Sequence, residues 1–387
     1  MKYNLSVTLT PVEHFFFGGE NRHTDGTEKY LQQSLMIPQQ TTVLGAMRFL
    51  VLQHSGNEIF KNDKIRDKES AKKLIGASSF DMNPHKYGII DSISEVLLWK
   101  DQFYYPLVAW RNKDEVNMKD EDRSINTEFL VSENRYEENG DVYFFDIGHE
   151  KKPVSLPQYK AKDETDEYWI SINEKPLKSS AIFKSQIHAG NYKNKENKTE
   201  NDDDAYFKMK YYRFTDNYSF VFNMELDDHD KDWKEVIIHN IINRSHFINL
   251  GGERSKFVCQ IEEIGDDSPK KITNHICEKI YAGVFNNCCT QVILTSDAYI
   301  EKAYPESLQF ASVRVQKMRF LKTTVDHTEA YNNRNEKGFS TSKLYNLLQR
   351  GSVFYFEKED DADSFLTNAA FTTIGYNKFC KITTNNQ

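Results

Sequence analysis

Cations set two or three residues apart, with rings or glycines beside them, are the side chains of this chain best suited to hold phosphate. Ala205 to Phe214, AYFKMKYYRF, interleaves Lys208, Lys210 and Arg213 with five aromatics. As a strand it would place rings on one face and cations on the other, where bases stack and phosphates meet charge. LGGERSKF, Leu250 to Phe257, sets Arg254 and Lys256 behind Gly251-Gly252. Two glycines permit a tight turn or a close backbone approach to a ligand, and in a strand the two cations share a face. ASVRVQKMRFLKTT, Ala311 to Thr324, carries Arg314, Lys317, Arg319 and Lys322 and no acid, within a chain of net charge −8. That local reversal implies an anionic partner or an acidic neighbouring subunit. IPQQTTVLGAMRFLVL, Ile37 to Leu52, reads as a helix capped by Thr41 or Thr42, with Val43, Ala46, Met47 and Leu50 on one apolar stripe. Arg48 stands off that stripe, near a helix N-terminus of the kind that attracts phosphate. Gly45, a poor helix former, implies that another backbone passes close by. Each pattern has a plainer explanation: an amphipathic strand with a solvated basic face, a hairpin turn, a capped helix with a solvated Arg.

Acid–base chemistry has fewer candidates. His14 lies in an aromatic run, VEHFFF, and His23 in the loop that follows Gly18-Gly19 with Arg22. The motifs G-x-x-x-x-G-K-[ST], G-G-D-D and H-E-x-x-H are absent. Asp228, Asp230 and Asp232 have calcium-loop spacing, but Trp233 and His239 stand where that loop needs Gly and Glu. Five cysteines without a C-x-x-C pair fit reduced thiols. No cofactor or metal is expected.

The elements that would position these residues indicate an α+β protein. Tyr3, Leu5, Val7 and Leu9 alternate in an opening strand, Ser92 to Trp110 forms a hairpin about Asp101-Gln102, and a short helix lies near Glu69 to Ile75. Residues 111–138 form a charged insertion, Val142 to Ile147 a strand, and a soft boundary falls within 151–180. Lys193 to Asp204 has no apolar residue and reads as a mobile loop. Further on come a strand at Tyr218 to Leu226, a helix introduced by Asp232 and Glu235 with Trp233, Val236, Ile237 and Ile241 inward, a helix over 273–283 and a strand at Thr290 to Thr295. Near the end, Thr341 or Ser342 caps a helix with Leu344, Leu347 and Leu348. Val353 to Phe356 is a strand, Ala362 to Ala370 a helix, and Phe371 to Ile382 the last strand region. Two domains follow, 1–180 and 181–387, each writable as strand, helix, strand, strand, helix, strand, the ferredoxin-like order, with long polar insertions. A length of 387 residues suits two cores. With no apolar run near the roughly 18 residues of a membrane helix, and no signal-peptide pattern, the chain reads as cytoplasmic with no membrane partner.

Four segments, KYNLSVTLTPVEHFFFGGENR with the P-x-x-T helix after it, LGGERSKF, RGSVFYFE (Arg350 to Glu357) and IGYNKF (Ile374 to Phe379), resemble the RAMP proteins of CRISPR effector complexes. The order and spread are similar to those of the third-subunit family of the type III-B (Cmr) RNA-guided complex, the branch that binds the five-prime handle. The resemblance implies two ferredoxin-like (RRM-like) RAMP domains and a non-catalytic subunit holding the 5′ handle of the guide RNA. It also implies contacts with a large polymerase-like subunit and backbone RAMP subunits, and with target RNA only indirectly. Family members carry a glycine-rich loop near the C-terminus. Here it is reduced to Gly375-Tyr376-Asn377-Lys378, which leaves Tyr376 and Lys378 as the candidates there. The competing expectations are a RAMP endoribonuclease using His14 or His23, and a scaffold that meets no nucleic acid.

Overall fold

The computed structural model describes residues 2–19, 31–82, 86–110, 136–138, 141–147, 150–153, 165–172, 174–191, 206–227, 239–251, 253–282, 290–302, 305, 307–326, 339–356 and 359–382. Among them strands outnumber helices, in a mixed α+β arrangement. No helix among the described residues is long and apolar enough to cross a membrane. The chain divides into two compact units, each assembled from three segments: Met1–Val96, Ser180–Asp266 and Lys317–Tyr345 in the first, Leu97–Ser179, Asp267–Gln316 and Asn346–Gln387 in the second. The units interleave along the chain instead of following one another.

The first unit is built on the strand Lys2–Pro11. Its residues Leu5, Val7 and Leu9 are fully buried, and Ser6 and Thr8 between them are buried too, so the strand is covered on both faces there instead of half-buried as its alternation predicts. It pairs antiparallel with Ser219–Asp227 on one side and Ser255–Glu263 on the other. Ile90–Ile93 continues the sheet beyond Ser219–Asp227, and Arg244–Leu250 beyond Ser255–Glu263. A second sheet runs Phe183–Asn191, Tyr206–Phe214, Leu31–Leu35, Phe17–Gly18.

The helix Gln40–Gln53 begins one residue ahead of Thr41, so the capping expectation for Thr41 and Thr42 is corrected. Gln39 is the N-cap residue, without a side-chain cap, and its carbonyl accepts from Thr42 and Val43 at 2.9 and 3.1 Å. Gly45 is exposed and a Cβ there would meet nothing within 4 Å, so no backbone passes close. Arg48 is not solvated. It is buried, its Nε donating to the Ile75 carbonyl at 2.7 Å and its Nη2 to that of Gly76 at 3.3 Å. Those carbonyls close the helix Lys68–Ile75, which Asp67 caps through Glu69 and Ser70. Burial lowers the Arg48 pKa to about 10, partly offset by Tyr87.

In the second unit, Thr290–Leu294 lies between Val353–Phe356 and Phe379–Ile382, with Leu308–Ser312 outside Val353–Phe356. Val292, Leu294, Phe354, Phe356, Phe365 and Leu366 fill its core. The hairpin about Asp101 forms between Leu97–Trp99 and Phe103–Trp110, with Leu98 opposite Tyr104 and Asp101 at φ 62°. Ser92 and Ile93, read as its start, belong instead to Ile90–Ile93 in the first unit's sheet. One helical expectation fails: Tyr345–Leu348 is a strand, because the Ser342 hydroxyl accepts from Phe320 N at 2.8 Å instead of capping a helix. The helix read at 362–370 forms, as Glu359–Leu366 followed by Ala369–Thr373, which Asn368 caps. The strand read from Phe371 begins only at Phe379. Cys277 and Cys380 lie side by side, with Cα atoms 6.1 Å apart. The insertion at 111–135, the polar loop at 193–204 and the start of the helix read at 232 lie outside the described residues.

Removing the Arg48 guanidinium leaves two buried carbonyls without their donors. Arg48→Ala should therefore cost about 2–4 kcal/mol of stability and lower the thermal midpoint by several degrees. Calorimetry showing an unchanged midpoint would contradict this structural role.

Candidate nucleic-acid interface

The aromatic run His14–Phe17 fixes the geometry of the first unit's candidate surface. Phe15 bridges Tyr212, its N–H donating to the Tyr212 carbonyl at 2.7 Å and its carbonyl accepting from Tyr212 N at 3.0 Å. Phe16 N–H donates to the Ser255 hydroxyl at 2.9 Å, and Phe17 N–H to that of Ser34 at 2.8 Å. Three successive residues thus tie the hairpin strand Tyr206–Phe214, the strand Ser255–Glu263 and the strand Leu31–Leu35 to one stretch of backbone.

Two of the predicted cation groups meet at this stretch. Gly251 turns at φ 87° against the Phe16 carbonyl, where a Cβ would overlap the oxygen. Among non-glycine residues Arg254 also has positive φ, 51°, so it belongs to the turn and does not share a strand face with Lys256. Both are exposed. Tyr211, on the hairpin, stands close enough to the same turn to feel Glu253. Burial first, then that carboxylate, raises its pKa.

The hairpin pairs Phe183–Asn191 with Tyr206–Phe214 and places Lys184 opposite Arg213, Gln186 opposite Tyr211 and His188 opposite Met209. Rings and cations therefore do not separate by face as expected: Lys208, Lys210, Tyr212 and Phe214 share one face, and Met209, Tyr211 and Arg213 the other. Lys210 Nζ lies 5.5 Å from the Tyr212 ring centroid, within cation–π range. Lys184 and Arg213 are both exposed and directly opposed, a like-charge pair that disfavours the strand contact unless an anion lies between. His14, His188 and Tyr211 form a ring cluster, with centroids 4.8–4.9 Å apart, and the His188 Nε2 is buried without a partner. Sequence reading missed Lys184 and His188, because FKSQIHAGN has no clean alternation. The absence of any acid from both hairpin strands is the signal that could have found them.

The remaining candidates lie elsewhere or are committed to protein. Arg48 is internal, as described. Arg314 pairs with Glu167 in the second unit, and in the first Lys322 lies 3.8 Å from Asp81. Two cations of the basic run thus meet acids of this same chain from distant segments; Lys317 and Arg319 are exposed. Tyr376 is fully buried against Phe371, so it offers no ring to a ligand. The short C-terminal loop closes on Asn377, whose side chain donates to the Tyr299 and Leu366 carbonyls at 2.8 and 2.7 Å and accepts from Tyr299 N at 2.9 Å. Lys378 is half-buried, its backbone bonded to Ser296. Arg22, His23 and Gly252 lie outside the described residues.

Gly251 is the turn's most constrained position. Gly251→Ala places a side chain at positive φ and against the Phe16 backbone, and should cost a few kcal/mol. Gly265→Ala, where nothing lies within 4 Å, should change the thermal midpoint little. Equal midpoints for the two variants would refute this packing.

A family profile described as "CRISPR-associated protein (Cas_Cmr3)" matches residues 7–384. No curated protein matches the sequence. Among solved structures, a chain of "Cryo-EM structure of the Type III-B Cmr-beta bound to cognate target RNA" has 13% identity, covering 97% of this chain and 96% of its own, with a TM-score of 0.48. A chain of "Crystal structure of Csm3-Csm4 subcomplex in the type III-A CRISPR-Cas interference complex" has 10% identity over 92% of this chain and 94% of its own, at 0.36. TM-scores this low carry no argument about fold or function.

Proposed function

Because the chain belongs to the CRISPR-associated Cas_Cmr3 family, we propose that it is a non-catalytic guide-RNA-binding subunit of a type III-B effector complex. In this reading the first unit holds the 5′ handle of the guide. The protein docks the large polymerase-like subunit onto the backbone RAMP subunits and meets target RNA only through the assembly. One arrangement carries the reading. Two acid-free strands bearing Lys184, Lys208, Lys210 and Arg213 are pinned to the same aromatic run that seats the Gly251 turn with Arg254 and Lys256. Phosphates need such a local set of cations, whatever the sign of the total charge.

We further infer that both units are ferredoxin-like. In the first, Ser255–Glu263, Lys2–Pro11, Ser219–Asp227 and Ile90–Ile93 lie in the spatial order four-one-three-two, all antiparallel, with the helix Gln40–Gln53 between the first and second strands in sequence. The second repeats that order with Phe379–Ile382, Thr290–Leu294, Val353–Phe356 and Leu308–Ser312. Two helices, Glu359–Leu366 and Ala369–Thr373, fall between its third and fourth strands, a further helix, Asn274–Ala282, precedes the first strand, and none is described between the first and second.

Arg213→Ala and Arg254→Ala should each weaken guide binding and lower the slope of log affinity against log salt by about one. Unchanged affinity and slope in both would remove the first unit's surface from the handle site.

The clustering of His14 with His188 and Tyr211 is the one observation that favours the second reading, RNA cleavage, since a general base with a Tyr beside it suits attack by a 2′-hydroxyl. The purified chain, with and without divalent metal, should leave a repeat-containing precursor RNA intact. Cleavage lost in His14→Ala and in His188→Ala would establish the enzyme instead.

A further inference from the structure

The strand Arg244–Leu250 ends its sheet, with Ser255–Glu263 on one side and no partner strand on the other among the described residues. Its inward residues Ile248 and Leu250 are buried, whereas Ser245, Phe247 and Asn249 face outward and are exposed. Phe247 is 78% exposed, more than any other large hydrophobic among the described residues. Across the ladder it stands opposite Val258, flanked by Asn249 opposite Lys256 and Ser245 opposite Gln260. Thr10 continues the row beyond Val258, and Val12, half-exposed, donates its N–H to the Lys256 carbonyl at 2.9 Å.

This face has one large ring amid two hydroxyls, two amides and an ammonium. Only Val12 and Val258 add apolar surface, too little for the desolvated centre of a protein interface. A nucleic-acid base needs less: one ring face to stack on, side chains that reach its edges, and a cation for the adjoining phosphate. Lys256 provides that cation, placed diagonally to Phe247 on the ladder and two residues from Arg254 at the turn assigned to the guide. Glu13, Glu253 and Glu262 lie along or beside the same strands, so stacking, not charge, must supply the contact.

We propose that Phe247 is a stacking platform for one unpaired base of single-stranded RNA, next to the phosphates held at Arg254 and Lys256. The proposal rests on the guide-RNA reading and adds to it a base-level contact.

The test uses the full chain and a single-stranded RNA carrying 2-aminopurine at successive positions, with the same strand in a duplex as comparison. Phe247→Ala should weaken single-strand binding about tenfold, abolish quenching at one position, leave the salt slope unchanged and spare duplex binding. Phe247→Trp should restore both affinity and quenching. Wild-type affinity and quenching in Phe247→Ala, while Arg213→Ala still weakens binding, would overturn the platform and leave the guide-RNA reading standing. Indifference of both variants would defeat both. Intact RNA binding with loss of co-purifying effector subunits would show the ring to be a protein contact, and would overturn the proposal as well.

Discussion

The first unit depends on the backbone of Phe15, Phe16 and Phe17. Three consecutive residues spend their N–H groups on a strand carbonyl and two serine hydroxyls. The Phe16 carbonyl rests on Gly251, where a side chain would not fit. Buried backbone donors are costly to leave unpaired, so this stretch fixes where the hairpin, the turn and the strand Leu31–Leu35 can sit. Phe15 and Phe17 lock the same joint from inside, against Phe220 and Phe257. Cations far apart in sequence reach one region because an apolar knot and a few hydrogen bonds bring their strands together.

The second unit uses comparable chemistry for closure. Asp297 is buried and accepts from the Arg350 backbone N–H and Nε at 2.9 and 3.3 Å, and Asn377 satisfies three backbone groups with one amide. Two of the four family-like segments, at 350–357 and 374–379, thereby stabilise turns. The Arg350 guanidinium, the Ser352 hydroxyl and the Asn377 amide are there bonded within the unit.

Legibility in the sequence followed the strength of local pattern. The opening strand, the hairpin at Asp101 and the glycine turn could be read because alternation and turn chemistry are local properties. Arg48 could not be placed that way: its burial depends on carbonyls at the end of another helix, 27 and 28 residues on. The acid that meets Arg314 could not be named from local pattern, because Glu167 lies 147 residues away. Gly45 invited a close-packing explanation and turned out to face open space, so a lone helical glycine was a poor guide. The hairpin strand Phe183–Asn191 escaped notice because it is exposed on both faces along much of its length, and a strand without a buried face has no hydrophobic period to read.

Amide hydrogen exchange of the full chain, with and without guide RNA, tests the central claim most directly. The account predicts slowed exchange in Phe183–Asn191, Tyr206–Phe214 and residues 253–258, and little change at residues 375–378, which are already closed on Asn377. Slowed exchange at 375–378 with no change in the hairpin or the glycine turn would contradict it.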